Sequence, residues 1–191
     1  MRLQTDVPKV IPQPSFYIYI TLFMLLLPLK WLVAWFSAAL IHELFHVAAI
    51  YLCKNRVLEV KLRASGAVIK TDGLNRRCEF VCAIAGPAGS LVALLLFRKM
   101  PVFALFAAVQ LFVNLLPIYP LDGGRVFRCI LLKFFAYHTT IKISRVMEII
   151  FKIFLLLLGL WISAWQKAWI ILAFTIVFCW RKRKIPCKQS F

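Results

Sequence analysis

Apolar and polar residues fall along this chain in long blocks rather than in the short periods of a soluble domain. Apolar blocks run over Phe16 to Leu29, Trp31 to Cys53, Glu79 to Phe97, Val102 to about Ala136, Val146 to Ser163 and Ala168 to Trp180, with most charges gathered between them. Against a requirement of about 20 residues per membrane-crossing helix, the blocks predict an all-α polytopic membrane protein of about six transmembrane helices. Pro28 and Lys30 mark a turn between the first two blocks, although one tilted segment from Phe16 to Leu40 is the alternative. The fourth block is too long for one straight span. NLLPIYPLDGGR, residues 114 to 125, interrupts it, because its two prolines and two glycines break a helix. Broken backbone at membrane depth is tolerated only against protein or a wet cavity. A different period appears in VLEVKLRASGAVIK, residues 57 to 70, whose first half alternates apolar and polar and which carries Gly66 at a turn position. That pattern predicts a small β-hairpin-like loop, with an edge open to an extended peptide.

Composition sharpens this picture. Of 191 residues, 63% are apolar, against about 45 to 50% in soluble domains. The net charge of +17 would suggest nucleic acid in a soluble protein, but the Lys and Arg residues lie between blocks and near the C-terminus, where anionic head groups meet them. No nucleic-acid partner is expected. With six spans, the face holding the N-terminus, the 54 to 78 loop, the 122 to 145 stretch and the C-terminus collects 19 of the 24 Lys and Arg residues. The opposite face holds Lys30, Arg98, Lys99 and Lys167. The positive-inside rule then places both termini in the cytoplasm of a multi-pass cell-membrane protein. The remaining cation, Lys152, follows Glu148 by one turn and pairs with it. The six cysteines contain no CxxC pair and read as small hydrophobes or reduced thiols. Pro8, Pro12 and Pro14 near the start do not fit a cleavable signal peptide, so the first block is retained.

The second block contains what lipid should reject: HELFH at 42 to 46. Ionisable groups at membrane depth cost several kcal/mol and persist where they pair or work. On a helix, positions i and i+4 lie about 40° apart, so His42 and His46 project from one face. This is the spacing of a two-imidazole zinc clamp, with Glu43 beside it to take a proton from an activated water. A catalytic zinc needs a third protein ligand. Of the seven acidic residues, Glu43 is assigned, Asp6 is in the N-terminal tail, Glu59, Asp72 and Glu79 belong to a basic loop or its edge, and Glu148 has Lys152. Asp122, in the helix-breaking segment, remains to complete the site.

HELFH, AGPAGS at 85 to 90 and NLLPIYPLDGGR at 114 to 125 together resemble the site-2 protease family of intramembrane zinc metalloproteases, over a core from about Trp31 to Arg125. The resemblance implies one zinc per chain held by His42, His46 and Asp122, Glu43 as catalytic base, and Asn114 near the site in contact with substrate. It implies regulated intramembrane proteolysis of membrane-embedded or membrane-associated proteins. Phe45 stands where the commoner form of the motif has Gly. Residues 1 to 191 are expected to form a single integral membrane metalloprotease domain with no PDZ or CBS module, most similar to the bacterial sporulation-type branch. Two other classes fit parts of the pattern. An ion-coupled transporter would use a broken helix and buried acids but would show internal repeats. A catalytically silent homologue would bind membrane partners without the intact His42, Glu43, His46 and Asp122. Plainer roles suffice elsewhere: Gly86 and Gly89 for close helix packing, His138 in a solvated loop, RKRK at 181 to 184 as a topology anchor, and Arg125 on lipid phosphate or Asp122.

Overall fold

A computed structural model of the chain describes residues 9–63, 66–71, 73–119 and 121–166. The described elements run β1 (Lys9–Pro12), α1 (Pro14–Leu26), α2 (Leu29–Leu52), β2 (Val57–Arg63), β3 (Gly66–Thr71), α3 (Arg76–Leu96), α4 (Pro101–Leu115), α5 (Asp122–Phe134) and α6 (Tyr137–Gln166). They fall into two compact units, one ending at Phe112 and the other beginning at Val113.

In the first unit the backbone leaves the helix at Leu27, which is extended, and Pro28 opens the next, so α1 and α2 are separate helices. Helices α2 and α3 pack on each other through small residues. One cluster joins Ala38, Ala93, Phe103 and Ala107, and another joins Ala49, Ile50, Val57 and Cys82. Small side chains let helix backbones approach closely, which is how helices associate when lipid is the solvent. The distribution on α2 is inverted relative to a soluble helix: Phe36, Leu40 and Leu44 are exposed while His42 and His46 are buried.

The hairpin expected at 57 to 70 is present as β2 and β3, paired antiparallel with Val60 opposite Ile69 and Leu62 opposite Ala67. Gly66 has φ +108°, a conformation that favours glycine. A third strand was not anticipated: β1 lies parallel to β2, Lys9 opposite Glu59 and Pro12 opposite Leu62, giving the order β1-β2-β3. Pro12 is tolerated because β1 is an edge strand. Strand β2 is thus central, and the edges for an added strand are those of β1 and β3 rather than of β2. Glu59 sits between Lys70 at 2.8 Å and Lys61 at 3.4 Å. The hydrogen bond from Lys70 holds its carboxyl below the usual value, and the same bond raises Lys70.

In the second unit α5 packs on α6. NLLPIYPLDGGR breaks the fourth apolar block as expected: α4 ends at Leu115, and α5 opens at Asp122. Gly123 and Gly124 pass so close to the backbone of Leu115, Leu116 and Ile118 that a Cβ at either would overlap it. Glu148 and Lys152 pair at 2.6 Å on α6, as their spacing predicted.

The expectation of about six spans is met in part, with six helices among the described residues. Among the described residues, two helices, α2 and α3, are long and apolar enough to cross a membrane. At about 1.5 Å per residue, the 13 residues of α1 and 15 of α4 reach only about 20 to 23 Å, short of a core of about 30 Å. Helix α5 carries Asp122, Arg125, Arg128 and Lys133 within 13 residues. Helix α6 begins at Tyr137, earlier than Val146, and so takes in Lys142 and Arg145 as well as Glu148 and Lys152. His138 therefore lies on a helix, exposed, rather than in a loop. The sixth block, Ala168 to Trp180, lies outside the described residues, as does Asp72.

Candidate metal centre

HELFH occupies the middle of α2, which has no helix breaker between Leu29 and Leu52, so the i, i+4 geometry is realised. The Nε2 atoms of His42 and His46 approach to 3.2 Å, and the rings meet edge to face with centroids 4.8 Å apart. Both residues are buried, at 4% and 8% exposure.

Their other ring nitrogens are held from α3. His46 Nδ1 is 2.7 Å from the Cys82 carbonyl oxygen, and His42 Nδ1 is 2.8 Å from Ser90 Oγ. A carbonyl only accepts, so His46 carries its proton on Nδ1 and directs a lone pair from Nε2. Ser90 is fully buried, and its hydroxyl either donates or accepts. When it accepts, His42 also presents a lone pair at Nε2. When it donates, His42 Nε2–H hydrogen-bonds His46 instead.

The residues fit a zinc ion. Two nitrogens about 2.0 to 2.1 Å from a tetrahedral zinc stand about 3.3 Å apart, close to the separation seen here. An N–H bonded to a carbonyl or hydroxyl behind each imidazole is the usual support for a metal-ligating histidine. The space is kept open by Gly86, since a Cβ there would run into the His46 and His42 Nε2 atoms. Gly89 does the same for Phe45: a Cβ at 89 would press on the Phe45 ring at 2.5 Å from Cγ. The Phe found in place of the commoner Gly is thus accommodated by a glycine on the facing helix.

Glu43, half-buried on the adjoining face of α2, has Oε1 3.3 Å from the backbone N–H of Ala67, the second residue of β3. Asp122 and Asn114 belong to the second unit. Asp122 is the first residue of α5 and is buried, with Arg125 Nη1 3.9 Å from its Oδ1, one of the two roles considered for that arginine. Asn114 is half-buried in the last turn of α4. Within the first unit the structure brings together His42, His46 and Glu43, and adds Ser90, Gly86 and the Cys82 carbonyl, none of which sequence reasoning assigned to the site. The available signal was their spacing: 82, 86 and 90 are successive i, i+4 positions on one face of α3.

The chain matches no protein-family model. It is 28% identical over 187 residues to stage IV sporulation protein FB of Bacillus subtilis, covering 88% of this chain, and 27% identical over 139 residues to a zinc metalloprotease of Methanocaldococcus jannaschii, covering 65%. It spans 64% and 41% of the lengths of these two relatives. Its fold matches the solved site-2 protease of M. jannaschii with a TM-score of 0.66 at 21% identity, over 100% of this chain and 98% of that one. The chain has the fold of that site-2 protease. The three motifs quoted for the resemblance lie on α2, α3 and the α4–α5 connection. The buried imidazole pair and its supports therefore stand within a site-2 protease scaffold.

Proposed function

We propose that this chain is an intramembrane zinc metalloprotease that hydrolyses peptide bonds of membrane-embedded or membrane-associated proteins. The observation that carries the reading is the convergence of two buried imidazole Nε2 atoms at 3.2 Å, each braced through Nδ1, beside a carboxylate on the next position of the helix. His42, His46 and Asp122 would hold one zinc per chain. Bound zinc supplies a water of lowered pKa and polarises the carbonyl under attack. Glu43 would accept a proton from the attacking water and pass it to the leaving nitrogen. Ser90 and the Cys82 carbonyl keep the imidazoles turned toward the metal. Asn114 hydrogen-bonds the substrate.

The substrate must be extended before attack, because a helix hides its amides. Beyond Ala67, whose N–H goes to Glu43, the outer edge of β3 offers its backbone groups to such a strand. The N-terminus and the 54 to 78 segment face the cytoplasm, as does the C-terminus. Residues 1 to 191 form one membrane metalloprotease domain. The zinc metalloprotease name of one relative favours hydrolysis over ion-coupled transport or partner binding without cleavage.

The test is co-expression with a panel of single-span membrane reporters, comparing wild type with Glu43→Gln. Cleavage by wild type that disappears in the variant is expected; equal processing by both would reject the reading. In the same assay Ile69→Pro, on the β3 edge, should raise KM about tenfold with kcat retained. An unchanged KM would remove β3 from substrate binding.

A further inference from the structure

The sheet meets the proposed base edge-on. Leu62 and Ala67 face each other across β2 and β3, and the Leu62 carbonyl accepts from the Gln13 N–H at 3.0 Å, on the opposite side of β2. In an antiparallel pair the N–H and C=O of one residue point to the same side. Leu62 therefore points away from β3, and Ala67, its partner in a non-hydrogen-bonded pair, points its N–H away from β2. That N–H runs to Glu43 Oε1 at 3.3 Å. Gly66 fits the same contact from the other side: an added Cβ there would lie 3.5 Å from Glu43 Oε1, and its φ of +108° turns the chain into the strand at this point.

We infer that Ala67 is a positioning residue, whose backbone N–H at the start of β3 holds the Glu43 carboxylate at the orientation needed for proton transfer. Hydrogen bonds to ionised acceptors are the stronger class, and one from backbone is pre-set by the sheet rather than by a side-chain rotamer. Because β3 is tied through β2 to β1, the aim of a helix-borne carboxylate depends on a three-stranded sheet that begins at Lys9. This rests on the hydrolytic reading of Glu43, but the contact itself is testable without any cleavage.

Amide hydrogen exchange is measured on the detergent-purified, zinc-loaded chain. Glu43→Ala should speed exchange at residues 66 to 71 by about tenfold or more, whereas Glu43→Gln, which keeps an acceptor oxygen, should stay within about threefold of wild type; β2 should be unaffected in both. Equal exchange at 66 to 71 in all three proteins, or an equal rise in β2, would overturn the inference. Ala67→Pro removes the N–H while sparing the ladder to β2. Against a single-span reporter that wild type cleaves, it should lower kcat about ten- to hundred-fold, a larger factor than any rise in KM, with zinc content unchanged. Undiminished kcat would also overturn it. Failure of wild type to cleave any reporter counts against the proposed function alone, and the exchange experiment then decides this one.

Discussion

A single methyl group at position 86 challenges the imidazole pair directly. Gly86→Ala would place a carbon against both Nε2 atoms, whose rings are held from behind by Ser90 and the Cys82 carbonyl. The expected outcome is a helical protein that no longer retains zinc after dialysis against a chelator; full retention would show that the metal does not sit between these nitrogens. Ser90→Ala is milder. It leaves His42 Nδ1 facing a buried methyl, and zinc affinity should fall about ten- to hundred-fold by competition with a chromophoric chelator. His42, Glu43 and His46 were legible in the sequence because a five-residue spacing on one helix is a local quantity. Ser90 and Cys82 were not, since their contacts span 48 and 36 residues and depend on how α3 packs. Glycines 86 and 89 were read as packing residues, which they are, but what they pack against is the site.

The hairpin makes a statement about pH at the scale of an element. Glu59 is held below the ordinary value of 4.5, so its contribution to pairing is complete above that value and lost as pH falls through the lowered one. Lys70 is raised above 10.5, so its share is complete below that value and lost as pH climbs through the raised one. The β2–β3 pair should therefore be most stable across the intervening range. Glu59→Gln should flatten the acid-side loss in limited proteolysis of residues 57 to 71; an identical acid profile would dismiss the pair. The hairpin was readable because period-two alternation and a glycine turn are local signals. Strand β1 was not: Lys9–Pro12 is four residues with a proline, and only pairing with a strand some 50 residues away makes it one. Helices were harder to count than to find. Apolar length alone merged α4 with α5, and the charges of α6 were assigned to a loop because nothing local distinguishes a polar helical turn from a connection.

For the whole molecule, the inverted surface of α2, with leucine and phenylalanine outside and histidine inside, fits a chain whose solvent is lipid. A reporter fused at Met1 should read out as cytoplasmic in a topology assay; an external reading would reverse the assignment made from the 19 basic residues. Zinc per chain should be measured in carefully purified wild type and in Glu43→Gln, His46→Ala and Asp122→Ala. About one zinc is expected in the first two and little in the others. No zinc in active wild type, or undiminished zinc after loss of His46, would contradict the proposed site.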